Sequence, residues 1–343
     1  MLIPRIVWPI GVGALAAALA IACGHDSVRS NMCAAASAAP QATAPRGAPQ
    51  PAITPEEQAP PPSQTGGFDG AKAYEFTAKL VSFGPRPPGS DAIHRTQDYI
   101  AAQLKSFGCA VEADDFHAST PIGELPMKNI MAKIPGGGRG IILLLTHYDT
   151  LRLDNFVGAV DGGSSSGLML EMARVLCGDA KERPNSVWIG FLDGEEAQVV
   201  QNGVAQWTAT DSVYGSREMA ARTAISGDLK RIHAVILADM VGPKHLEIRK
   251  DTYSTPWLTN LVWKTAERLG YKDYFVAQRT EVDDDHQAFL HRGVPAVDII
   301  DLQDFIERGY WHTPQDTMEQ VSPRSLAIVG HVILESVSEL EKG

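Results

Sequence analysis

Two adjacent glutamates, Glu195 and Glu196, close the run Phe191-Leu192-Asp193-Gly194-Glu195-Glu196-Ala197. The apolar residues before them, 187–192, read as a strand, and side chains of neighbouring residues diverge where a strand gives way to a loop. One carboxylate can therefore ligate a metal while the other faces a substrate and moves a proton. That is the division of labour of a zinc hydrolase or transferase. Paired glutamates are also common on solvated turns, so the weight comes from the other ligand-type residues. His147, Asp161, Asp239 and His312 each follow an apolar, strand-like run, directly or after a short loop, and all are side chains that zinc accepts.

The runs that must position these residues alternate with helical segments. This predicts an α/β fold, a central mixed, mainly parallel β-sheet flanked by helices. In such a sheet the site lies outside the carboxyl ends of the strands, so the six residues gather at one edge. Residues 127–134 and 141–146 read as neighbouring strands joined by Pro135-Gly136-Gly137-Gly138. Helical spacing covers residues 71–82, 91–107 and 167–176. Thr255 with Pro256, and Ser322 with Pro323, each mark a helix start, and Gly270 closes the first of the two. The last helix carries a core stripe of Leu326, Val329, Ile333, Val337 and Leu340.

Before the domain come two segments of different character. Residues 1–23 read as an export leader with Arg5 ahead of an apolar run too short for a stable span. Ala20-Ile21-Ala22-Cys23-Gly24 resembles a bacterial lipoprotein cleavage box with Cys23 as the lipidated residue, although Ala20 stands where leucine is usual. Simple cleavage and a retained anchor are the alternatives. The expected protein is thus exported from a bacterium, periplasmic or anchored by lipid, with no other membrane contact. Residues 24–67, rich in Ala and Pro, read as an extended tether, which leaves 68–343 as the catalytic domain. The leader and tether hold three basic and three acidic residues, so the net charge of −11 falls on the domain. Such a domain is a poor partner for nucleic acid and favours neutral or cationic substrates. Of the four cysteines, Cys33 sits just before the Ala/Pro-rich stretch of the tether that begins at Ala34, while Cys109 and Cys177 lie in the domain. There a disulfide and two separate buried thiols both fit the sequence.

With these residues in view, the chain resembles the zinc aminopeptidase-like superfamily of metallopeptidases (M28), and within it the glutaminyl-peptide cyclotransferases (glutaminyl cyclases). Resemblance spans nearly all of residues 70–340. The shared elements are Gly84-Pro85-Arg86-Pro87-Pro88-Gly89-Ser90, His147-Tyr148-Asp149, Gly158-Ala159-Val160-Asp161, the Glu195-Glu196 run and Trp311-His312-Thr313-Pro314. Three features lean towards the cyclases: Trp207 followed by Asp211-Ser212-Val213-Tyr214-Gly215-Ser216-Arg217, the extra aspartate in Asp284-Asp285-His286, and Trp311 directly before His312. The Gly/Ser turn after Asp161 is nearer to the peptidases. Thr146 stands where animal cyclases often carry a disulfide cysteine, and Phe305 lies farther from Trp311 than in those enzymes.

The resemblance implies one Zn²⁺ per chain on Asp161, Glu196 and His312, with Glu195 as general base and acid. It also implies Asp239 and Asp284 as a carboxylate network behind Glu195, and Trp207, Trp311 and Phe305 as substrate-binding residues. The implied activity cyclises N-terminal glutamine of peptides or proteins to pyroglutamate with loss of ammonia, in a monomeric enzyme. His147 and Asp239 stand where two-zinc aminopeptidases bind a second ion, so hydrolysis of N-terminal residues is the rival reading. A third, a peptide-binding domain without catalysis, requires lost ligands, and every ligand position here is filled. Trp188 is expected in the core, His286 in a local pair with Asp285, and His245, His291 and His331 as ordinary surface or interface residues.

Overall fold

A computed structural model describes residues 51–138, 140–179 and 182–342. The leader, Cys23 and Cys33 lie outside the described residues. The strands are β1 Ala110–Thr120, β2 Gly123–Ile134, β3 Ile141–His147, β4 Ser186–Leu192, β5 Val200–Gln201, β6 Val204–Ala205, β7 Ile232–Asp239, β8 Ile248–Asp251, β9 Phe275–Thr280 and β10 Ala296–Ile300. The α-helices are α1 Gly70–Val81, α2 Asp91–Ser106, α3 Gly163–Gly178, α4 Tyr214–Ser226, α5 Pro256–Arg268, α6 Gln287–Leu290, α7 Leu302–Glu307 and α8 Pro323–Lys342.

Six strands form the central sheet in the order β1-β2-β4-β3-β7-β10, and β5-β6 and β8-β9 form two small ribbons. Strands β4, β3, β7 and β10 run parallel, while β2 is antiparallel to both β1 and β4. The sheet is therefore mixed and mainly parallel, as the alternation of apolar runs and helices predicts. One pairing differs from expectation: β2 and β3 are not neighbours, because β4 lies between them. The Gly-rich turn is a crossing, pinned where Gly137 N donates to Arg183 O.

Every residue of β3 is buried, since helices cover both faces. Ile142 and Leu144 point into the core shared with α2, α3, α5 and α8, and Ile141, Leu143 and Leu145 into the one shared with α4 and α6. Each such aliphatic side chain contributes about 1.5–3 kcal/mol by leaving water. At one edge β1 is largely exposed and carries the ion pairs Asp115–Lys128 and Asp114–Arg222, charges that discourage pairing with another strand. The other edge, β10, is covered by the chain after β8, where Thr255 N donates to Ala296 O and Asp298 N to Ser254 Oγ. Thr255 holds the N-cap position of α5 as expected, but its hydroxyl accepts from Ala296 N rather than from an amide of the helix.

Two further features bear on the sequence reading. Cys109 and Cys177 form a disulfide with Cα atoms 5.3 Å apart, tying the chain after α2 to the end of α3. Residues 51–67, expected as the last part of the tether, hold two 3₁₀ turns, a fully buried Thr65 and a hydrogen bond from Arg324 to Glu56 O. Part of that segment thus packs on the domain. Among the described residues no helix is long and apolar enough to cross a membrane.

Candidate active site

The connection after β3 leads to β4 on one side and that after β7 leads to β10 on the other, so the strand order reverses between β3 and β7. A crevice opens at their carboxyl ends. His147 is the last residue of β3 and Asp239 the last of β7, and His147 Nε2 lies 3.0 Å from Asp239 Oδ1. Asp161, on the turn entering α3, reaches both histidines: Oδ1 is 3.3 Å from His147 Nε2 and Oδ2 is 3.4 Å from His312 Nε2. Glu196 Oε2 is 3.3 Å from the same His312 nitrogen. Glu195, beside it, places Oε2 3.8 Å from His147 Nδ1.

Backbone geometry fixes these positions. Gly162 has φ 72°, and a Cβ there would come within 2.8 Å of Asp149 O and of the His147 ring. Only glycine lets the turn bring Asp161 against β3. His312 itself carries φ 52°, a left-handed conformation that costs a non-glycine residue about 1–3 kcal/mol and is found where function requires it. Three residues given no role from sequence do the positioning. Asp149 accepts from the backbone N–H groups of Glu195 and Glu196, at 3.1 and 3.3 Å. Asp316 accepts from Val160 N and Asp161 N, at 2.7 and 3.0 Å. Arg86, fully buried, donates to the carbonyls of Tyr148, Val157 and Gly158. Both Arg86 and Asp149 stand inside noticed motifs, but their work is done on backbone groups distant in sequence.

The donor set fits a metal ion. Asp161, Glu196 and His312 offer ligand atoms within 4.8 Å of one another, and so do His147, Asp161 and Asp239. Asp161 Oδ2 and Glu196 Oε2 are buried without a hydrogen-bond partner. Buried carboxylate oxygens are costly to leave unpaired, and a cation between them and His312 satisfies all three. Glu196 Oε1 is meanwhile held by Leu151 N at 3.1 Å, which aims Oε2 at His312.

Electrostatics separate the carboxylates. Burial, reinforced by the charges of Glu196, Asp284 and Asp285, raises the Glu195 carboxyl well above the usual range, although His147 opposes the rise. Asp284 is likewise raised, by burial and by Asp239 and Asp285. Asp161 goes the other way, since its contacts with His147 and His312 outweigh burial and hold it low. Burial pulls His312 down, yet Glu196 and Asp161 lift it to about 10.

Above the centre lies a cleft of about 380 Å³ lined by Asp161, Glu195, Asp239, Asp284, Trp207 and Trp311, among others. Trp311 stacks on His312 at 4.0 Å between centroids. The Trp207 loop is drawn to the centre where Asp211 accepts from Gln198 N and Val199 N and Val213 N donates to Glu195 O. All the expected ligand, base and network residues therefore meet, with both tryptophans. Phe305 does not join them: it is buried against Tyr310, and Leu302 of the same helix α7 lines the cleft instead. His286 pairs with Asp251 at 3.2 Å rather than with Asp285.

Fold and site together define an α/β metalloenzyme-type domain with a carboxylate–histidine centre at the switch point of its sheet. Comparison with known proteins agrees. The model of peptidase family M28 matches residues 129–337. A glutaminyl-peptide cyclotransferase-like protein of Bos taurus is 30% identical over 283 residues, covering 74% of this chain and 72% of its own. A glutaminyl cyclase from an Acidobacteriales bacterium superimposes with a TM-score of 0.74 at 39% identity, over 80% of this chain and 95% of its own. A Zn-dependent exopeptidase from Parabacteroides distasonis gives 0.71 at 29% identity, over 78% and 97%. The chain belongs to peptidase family M28, among its glutaminyl cyclases.

Proposed function

We propose that this chain converts N-terminal glutamine of peptides or proteins to pyroglutamate, releasing ammonia, with zinc held by Asp161, Glu196 and His312. The observation that carries the reading is the tryptophan-walled cleft, which sets Glu195 beside a donor set with two unpaired carboxylate oxygens. When bound, the ion supplies Lewis acidity at the γ-carbonyl oxygen of the substrate. Trp207 and Trp311 grip the glutamine side chain and exclude water from it. The nucleophile, the substrate's own α-amine, is tethered to the carbonyl it attacks, so orientation costs little.

Glu195 moves the proton. Its carboxylate, whose proton affinity burial raises, takes the proton from the attacking amine, and the resulting acid returns it to the departing amide nitrogen as the C–N bond to ammonia breaks. Asp284 and Asp239 line the cleft with it, and the acidic surroundings that raise its carboxyl, Glu196 foremost, favour its protonated form after the first transfer. The test is ammonia release from an N-terminal glutamine peptide by zinc-loaded protein. Glu195→Gln is expected to lower turnover by about 10²–10⁴-fold with folding intact; an undiminished rate contradicts the assignment.

One observation favours a second reading, a two-zinc aminopeptidase: His147, Asp161 and Asp239 form a second donor triad, and the likeness extends to a Zn-dependent exopeptidase. Against it stand the two tryptophans that wall the cleft and the likeness to glutaminyl cyclases. The Cys109–Cys177 disulfide supports export to an oxidising compartment. Palmitate labelling and fractionation of wild type against Cys23→Ala test the proposed lipid anchor.

A further inference from the structure

The chain after β9 crosses the mouth of the cleft with alternating exposure: Glu281 and Asp283 face solvent, while Val282 and Asp284 are buried. All four line the cleft. Hydrogen bonds to buried groups hold the segment in place, with Val282 N donating to Asp251 Oδ1 and Gln287 Nε2 to Val282 O. Among the described residues, neither Glu281 nor Asp283 forms a hydrogen bond or an ion pair. No lysine or arginine lines the cleft, so no basic side chain at its mouth offsets their charge. Beneath them Asp284, 2% exposed, has an Oδ2 atom with no partner. The rim is therefore negative, and no lysine or arginine of the cleft lining meets it.

We propose that Glu281 and Asp283 select glutaminyl peptides that carry a lysine or arginine in the residue or two after the glutamine. This rests on the cyclase reading, because it places the glutamine on the cleft floor beside Glu195, Asp161 and His312. From there the chain leaves at about 3.3–3.6 Å per residue, which brings the next side chains to the rim. A cation there meets two carboxylates without displacing any existing partner, and an acidic side chain meets repulsion. Exposed pairs of this kind contribute modestly and are screened by salt, so the effect is a preference rather than an absolute requirement.

The experiment compares kcat/KM of the zinc-loaded protein for Gln-Lys-Ala, Gln-Ala-Ala and Gln-Glu-Ala peptides at low and high salt. The expected lysine-to-alanine ratio is about 3–10 at low salt, falling towards one at high salt, with glutamate the poorest. In the double variant Glu281→Gln/Asp283→Asn the ratio falls to about one; taking it within each protein cancels any general change in turnover. A ratio near one in the wild type, or an unchanged ratio in the variant, overturns the inference. If none of the three peptides loses ammonia, the cyclase reading itself fails.

Discussion

Glu195 and Glu196 are neighbours in sequence with opposite duties, and their surroundings assign them. Glu196 has one oxygen tied to Leu151 N and the other aimed at His312, whereas Glu195 lines the cleft. Glu196→Gln is therefore expected to lower zinc affinity, read by competition with a chromophoric chelator, whereas Glu195→Gln leaves zinc bound and removes turnover. Equal zinc affinity in wild type and Glu196→Gln contradicts the ligand assignment. Away from the centre, Asp301 tests the electrostatics of burial. It is fully buried, its Oδ2 accepts from Glu247 N at 2.7 Å, and burial pushes its carboxyl up to about 8. The folded chain thus keeps a proton that the unfolded chain releases near pH 4. Its contribution is full below about pH 4 and is lost as pH rises to about 8. Asp301→Asn retains an acceptor for Glu247 N and removes the titration. Its unfolding free energy relative to wild type should rise between those limits and level off above them; a pH-independent difference contradicts this. The metal-type residues were legible because each follows an apolar run, directly or after a loop. Asp149 and Asp316 were not, since a carboxylate that accepts from backbone amides has no signature of spacing.

At the scale of elements, close approach decides the geometry. Helix α1 packs on α3 at Gly167, where an added Cβ would lie 2.1 Å from Thr77 Oγ1 and 2.7 Å from Ala73 O. The turn one residue beyond Asp161 needs the left-handed backbone of Gly162. Gly162→Ala is expected to destabilise the fold by roughly 1–3 kcal/mol and to weaken zinc binding, because the turn that carries Asp161 must shift. Chemical denaturation and zinc titration measure the two effects, and wild-type values in both contradict the role given to this turn. Sequence periodicity located α1, α2 and α8, whose buried faces repeat at helical spacing, and the start and stop residues Thr255-Pro256 and Gly270 located α5. It did not locate β1, an edge strand exposed along most of its length, or α4, whose apolar residues form no continuous stripe. The β2–β3 adjacency was misjudged because nearness in sequence outweighed the antiparallel insertion of β4 between them. Phe305 was assigned to the pocket by likeness alone; three residues, less than one turn of α7, separate it from Leu302, which lines the cleft while Phe305 is buried against Tyr310.

Across the whole molecule, one covalent tie and one switch point organise the site. The Cys109–Cys177 bridge closes a separation of 68 residues that includes β1, β2, β3 and the Asp161 turn. Its loss through Cys177→Ser is expected to cost about 2–5 kcal/mol, measured by denaturant unfolding with and without reductant; an unchanged midpoint contradicts a stabilising role. Spacing alone left the pairing open, because the meeting of the two cysteines depends on how α2 and α3 lie on the sheet. The reversal of strand order between β3 and β7 places every metal-type residue at one crevice, an outcome that the α/β pattern does anticipate. Which reaction that crevice performs is settled most directly by mass spectrometry of an N-terminal glutamine peptide and an N-terminal leucine peptide incubated together with the zinc-loaded protein. Cyclisation predicts loss of one ammonia from the glutamine peptide with its chain intact and the leucine peptide untouched. Release of free glutamine or leucine, leaving peptides one residue shorter, would contradict it and make the two-zinc peptidase the better reading.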